Sequence, residues 1–315
     1  MLLSRVADAL YWLSRYLERA VHTARVVDAA VDHGLGRLSA VDESAIEIYR
    51  RLVLPAAAGP TVSLAEGALF DTTNRNSVAA CVIAARENAR QVRDEISSEM
   101  WEQINALYLG IRNMRDDVLS SGRTNYVTRS ITEGVHLFEG ITNATMGHGE
   151  GWQYLQAGRF LERAVETATL LDAFFTKEAG PAAIRPLDQA EWVSLLRSCC
   201  ALESYCRRYT ADVRPERVTE FLLLNAEFPR SIRFSATRVE GAVGSLARYG
   251  GRSDGTHAER LSGRLRASLD YAQVDEVLSE GPHAYLSGVG RQCTQIHTAL
   301  YQTYISYPIE SALTA

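Results

Sequence analysis

Apolar residues recur along this chain at the three- and four-residue spacing of a helix face, and no segment sustains the alternation of β-branched and polar residues that marks a strand. The pattern predicts an all-α fold, a multi-helix bundle with no sheet. Its eight prolines leave long stretches in which a helix can run unbroken. Helices are expected over about 2–32, 42–54, 76–98, 99–120, 126–146, 151–178, 188–209, 215–224, 230–249, 256–280 and 283–306. Breaks are expected from Ala56 to Leu64 and from Gly180 to Pro186, the second dividing the chain into halves of similar size.

In the first of these helices Leu3, Val6, Leu10, Leu13, Leu17, Val21, Ala24 and Val31 share one face at 100° per residue. Trp12, Tyr16, Val27 and Ala30 widen the arc to about half the circumference, as in a helix packed against several neighbours. The remaining strip carries Arg15, Glu18, His22 and Arg25, and chemistry is expected there.

The window Arg15–Ala29 returns 144 residues later as Arg159–Ala173, with ten of its fifteen positions identical. The retained residues include Arg15/Arg159, Glu18/Glu162 and Arg19/Arg163. A helix kept for packing alone would need to keep only its apolar stripe. A weaker echo pairs Asn76-Ser77-Val78 with Arg230-Ser231-Ile232, each serine placed to cap a helix. The chain therefore reads as one domain over 1–315 built from two halves, about 1–147 and 148–315, packed about a pseudo-twofold axis.

The opening S-R-V-A-D-A-L-Y-W-L-S-R-Y-L-E-R-A, Ser4 to Ala20, resembles the start of the bacterial alpha-E family. So do the stretches Ala85–Asn105, Gly151–Ala164 and Leu222–Phe234, whereas Met146–Trp152 departs from the family pattern. The resemblance implies an all-helical fold and a genomic setting beside a circularly permuted ATP-grasp protein, often with transglutaminase-like or proteasome-like peptidase genes. That company implies the making and turnover of peptide amide bonds.

A net charge of −5 and a pI near 5.9 argue against a surface built for nucleic acid or anionic lipid. Charged residues interrupt the opening apolar run well short of the roughly 18 residues of a membrane span. With no basic leader ahead of an apolar core, and five cysteines without C-x-x-C spacing, a cytoplasmic protein with reduced thiols is expected. No nucleotide loop or nucleophile motif is written here, and no cofactor is expected.

Each repeated glutamate follows an arginine by three residues, so local spacing predicts an ion pair within the helix. Kept in both copies, the same groups point to a buried or interfacial ionic network, or else to an acid and base in peptide chemistry. The run Arg86, Glu87, Arg90, Arg93, Asp94 and Glu95 reads as a salt-bridged face or a contact surface, with Trp101 as a core anchor beside Asn105. Glu133 and His136 form an E-x-x-H pair, the spacing that supplies metal ligands in some helical bundles. Arg230 opens a helix where the dipole disfavours a cation, so it is expected to reach for a carboxylate.

The leading expectation is a helical accessory subunit that binds the ATP-grasp ligase or its peptide substrate. Its binding candidates are Arg15, Glu18, Arg19, Arg86, Glu87, Arg90, Trp101, Arg159, Glu162, Arg163 and Arg230. The alternative is an enzyme acting on peptide or amide bonds through Glu18 and Glu162, with or without a metal. A structural homo-oligomer is the third reading.

Overall fold

A computed structural model describes residues 2–35, 43–55, 63–121, 123–179, 189–251 and 255–306, and no strand occurs among them. The helices are α1 (Ser4–Leu35), α2 (Glu43–Val53), α3 (Leu64–Leu69), α4 (Val78–Gln91), α5 (Ser98–Ser121), α6 (Thr124–Thr145) and α7 (Glu150–Ala179). They continue as α8 (Gln189–Ser198), α9 (Leu202–Tyr209), α10 (Pro215–Leu224), α11 (Ile232–Tyr249), α12 (His257–Tyr271), α13 (Val274–Glu280) and α14 (Pro282–Leu300), which ends in a π-helical turn over Tyr301–Ile305. None is long and apolar enough to cross a membrane.

Several starts are written locally. Ser77 and Ser231 accept backbone N–H bonds from Ala80 and Phe234 at 3.1 and 3.0 Å, as their echo in the sequence predicts. Thr256 and Glu259 form a reciprocal capping box at α12, and Pro215 and Pro282 occupy first turns where a missing N–H costs nothing.

The centre of the bundle is the pair α1 and α7. Gly151 meets Leu2 and Leu10, Gly158 meets Tyr11 and Ser14, and Arg163 meets Glu18, so the two helices run in the same direction. α4 lies on α1 and α11 on α7, while α6 covers α1 and α14 covers α7. The two helices approach closely at Gly158, where an added Cβ would collide with the Tyr11 carbonyl oxygen and the Ser14 hydroxyl. Ser14 and Gly158 are 144 residues apart, the repeat interval, so both copies present a small residue to the crossing.

The structure corrects several expectations. α1 is surrounded by α2, α3, α4, α6, α7 and α8, and its polar strip is therefore turned inward: Glu18, His22 and Arg25 are buried, while Leu3 on the apolar stripe is exposed. The helix expected over 188–209 breaks at Cys199–Ala201. Ala201 N–H bonds to the Leu196 carbonyl and Cys200 N–H to the Arg197 carbonyl, a Schellman turn with Cys200 at φ +49°, made without the usual glycine. The helix over 256–280 breaks at Ala272–Gln273, both extended. The helix over 76–98 stops at Gln91, and the six-residue α3 was too short to register as a period. The buried Asn74 amide clamps that segment by donating to the Val53 and Gly67 carbonyls at 2.9 and 3.1 Å. The expected Gly180–Pro186 break lies outside the described residues, as do residues 56–62 of the first.

Gly158→Ala is expected to destabilise the protein by about 1–3 kcal/mol, because the clash is with backbone. Gly140→Ala, with open space around its Cβ on α6, should instead gain about 0.5–1 kcal/mol. Urea unfolding followed by circular dichroism reads both, and a neutral Gly158→Ala would refute the close crossing.

Candidate functional site

The repeated residues meet between α1 and α7, and they pair across the helices rather than along them. Glu162 of α7 takes the Nε–H groups of Arg15 and Arg19 of α1, one on each oxygen, both at 2.6 Å. Glu18 of α1 takes Arg163 of α7 through two bonds of 2.9 and 2.5 Å. The ion pair within each helix that the spacing predicts is absent, because the neighbouring helix offers better donors in a drier place. Glu18 and Glu162 are each 1% exposed and Arg163 is 4% exposed.

Beyond this core the two copies part. Glu18 has a second cation in Arg230, which reaches in from the start of α11 with Nη2 3.0 Å away, as its awkward place at a helix N-terminus predicts. Arg159, which repeats Arg15, faces Glu139 of α6 at 3.2 Å instead. The corresponding loop ahead of α4 supplies the neutral Asn76, whose amide oxygen lies 3.4 Å from Arg19. Both loops are tied down alike: Thr23 donates to the Asn76 carbonyl at 3.1 Å and Thr167 to the Arg230 carbonyl at 3.3 Å.

Burial alone would push both repeated glutamates up. Arg163 and Arg230 outweigh it at Glu18, whose carboxyl lies well below the usual carboxylate range, and Arg15 with Arg19 lowers Glu162. Both are ionised at neutral pH. Sequence reasoning missed Glu166, one turn beyond Glu162 on the same face. Its carboxyl is raised to about 8 by burial and by the charge of Glu162, and it is therefore predominantly protonated at neutral pH. His22 Nε2 lies 3.3 Å from Glu166, and burial followed by the charge of Arg230 lowers the imidazole to about 4. The visible signal was the i, i+4 spacing of two glutamates on a helix that carries the repeat.

The other candidates lie elsewhere. Arg86 donates to Asn105 at 2.6 Å and stands over the rings of Trp101 and Tyr108 at 5.5 and 4.7 Å. Trp101 is half-buried, packed against the edge of the core with the arginines over its ring. Glu87 and Arg90 pair with each other in solvent at 2.6 Å. Glu133 binds the exposed Arg129, and His136 faces Arg25 at 2.9 Å, so the E-x-x-H pair does not act as a unit. Among the described residues no three His, Cys, Asp or Glu side chains converge to hold a metal.

Residues 2–305 match a family described as "a predicted alpha-helical domain with a conserved ER motif". The chain belongs to the Alpha-E family. Glu18-Arg19 and Glu162-Arg163 are ER pairs, and the crossed bonds above show what such a pair does here: each glutamate is answered by the arginine of the other copy. Uncharacterized proteins of Mycobacterium bovis and Mycobacterium tuberculosis are 24% identical over 96% of this chain, and a further M. tuberculosis sequence is 23% identical. The chain spans 37% of the length of these relatives. No solved structure matches it.

Glu18→Gln leaves Arg163 and Arg230 buried without their anion, so a loss of about 3–5 kcal/mol is expected in chemical denaturation. Glu87→Gln, on the surface, should leave the midpoint where it is. The pH dependence has a definite sign at Glu166. Its stabilising contribution is full below the ordinary value of 4.5 and is lost as pH climbs to about 8, because the unfolded chain ionises there before the folded one. Glu166→Gln mimics the protonated form and should gain stability relative to wild type between pH 5 and 8. Parallel melting curves of the two proteins across that window would exclude a raised Glu166.

Proposed function

We propose that this chain is a non-catalytic helical subunit of an amide-forming ligase system, binding a circularly permuted ATP-grasp ligase or that ligase's peptide substrate. The observation that carries the reading is the state of the two repeated glutamates. A carboxylate buried between guanidinium groups neither takes nor gives a proton near neutral pH, so the alternative enzyme loses its acid and base. Their role is to hold α1 and α7 in register. The ligase, the peptide substrate and a cytoplasmic setting come from the resemblance in the motifs and the sequence character, and the match over residues 2–305 supports the family from which that company is drawn.

Burial of the ER side chains changes where such a partner would sit. Glu18, Glu162 and Arg163 have no surface to offer, whereas Glu87, Arg90 and Arg93 stand exposed along α4 and its end. Arg93 lies over the Trp101 ring at 5.4 Å, which widens this face. The division into halves near residue 147 belongs to the same reading. It is supported by the shared direction of α1 and α7, the matching caps at Ser77 and Ser231, and the matching bonds of Thr23 and Thr167.

Co-expression with the neighbouring ATP-grasp protein tests this. The expected outcome is a stable complex whose ATP hydrolysis in the presence of peptides exceeds that of the ligase alone, weakened about tenfold in affinity by the paired charge reversal Arg90→Glu and Arg93→Glu. A ligase that neither binds the chain nor changes its turnover would end the proposal.

A further inference from the structure

Beside the Glu18–Arg163 pair, α6, α7 and the start of α11 enclose a pocket of about 520 Å³, within the range of small-ligand sites. Arg163 at its edge is already matched by Glu18. Arg159, one turn earlier on α7, is not matched in the same way. In the first copy Arg15 gives its Nε–H to the opposite glutamate at 2.6 Å, but Arg230 occupies the equivalent place at Glu18 and displaces Arg159 toward the pocket. There its Nε is buried, 3.2 Å from Glu139, yet donates no hydrogen bond. Arg238 lines the same pocket, exposed and set over the Phe234 ring at 5.1 Å, with no carboxylate in ion-pair reach among the described residues.

The walls are aromatic. Arg159 lies 4.9 Å from the centre of the Phe160 ring, and Trp152 stacks on His148 at 4.2 Å. The indole N–H of Trp152 is buried without an acceptor. A buried donor left unmade costs free energy that a ligand's acceptor recovers. Arg159 and Arg163 share Glu139, Arg238 has no carboxylate in reach among the described residues, and two buried N–H groups lack acceptors in a cavity walled by rings. That combination calls for an anion attached to an apolar body.

We infer that this pocket recognises the carboxylate of an amino acid or short peptide bearing an aromatic or aliphatic side chain. The guanidinium groups of Arg159 and Arg238 take the carboxylate, and the Trp152, Phe160 and Phe234 rings take the side chain. A planar monoanion suits this sparse set of cations better than a phosphate dianion, which would require further charge. The inference rests on the binding-subunit reading and gives that subunit a substrate end.

Isothermal titration of the full chain with the dipeptide Ala-Phe, its C-terminal amide and inorganic phosphate tests it. The expected result is saturable binding of the dipeptide, with the amide weaker by about tenfold or more and phosphate weaker still. Arg159→Gln should weaken the dipeptide by about tenfold, and the exposed Arg238→Ala by about threefold with unchanged folding. Equal binding of acid and amide, tighter binding of phosphate, or indifference to Arg238→Ala together with Arg159→Gln would overturn the carboxylate assignment. Complex formation with the ligase, measured on the same variants, keeps the two readings apart. A complex that forms normally while no dipeptide binds removes the pocket inference and leaves the subunit; a dipeptide that binds while no complex forms does the reverse.

Discussion

Two carboxylates are removed from water between α1 and α7, and most of the architecture follows from the need to answer them. An unmatched charge in that place would cost several kcal/mol, more than most single contacts return. Each carboxylate can be matched only if the other helix lies parallel, close and in one register, since a slip of one turn would separate Glu162 from Arg15 and Arg19. The small residues Ser14 and Gly158 allow the approach, and the caps at Ser77 and Ser231 fix the loops that flank the network. Such a pair contributes specificity more than net stability: it names one arrangement among many that hydrophobic burial alone would accept.

Legibility followed length of pattern. The long helices, the paired serine caps and the reach of Arg230 toward a carboxylate could be read because each rests on periodicity, a cap residue or a helix-end charge of the wrong sign. The breaks at Cys200 and Ala272 could not, because no glycine or proline marks them and tertiary packing sets the turn. The Arg15–Glu18 spacing suggested a bond along the helix, yet spacing carries no information about a neighbour 144 residues away that competes for the same carboxylate. Trp101 packs against the edge of the core as its size suggests, while the arginines over its exposed face belong to a layer that size alone does not indicate. Glu166 passed unremarked because its perturbation depends on burial, which one sequence does not reveal.

The two copies are alike where they touch and different where they face outward. On the Glu162 side a neutral Asn76 completes the shell, and a protonated Glu166 beside a neutral His22 keeps charge low. On the Glu18 side a third arginine enters, and the balance shifts toward positive charge next to an open, ring-lined cavity. The two repeated segments therefore agree where α1 meets α7 and differ at their outer rims.

The crossed pairing also bears on how the chain is made. Glu18 is synthesised early, but its partners Arg163 and Arg230 follow about 145 and 212 residues later. At ordinary rates of synthesis, roughly 5–20 residues per second, that interval lasts on the order of ten seconds or more. Through it α1 can coil, since helices form in microseconds, but it cannot be buried with its charge unanswered. The α1–α7 seam therefore closes only after the segment that carries Arg163 and Arg230 has been made.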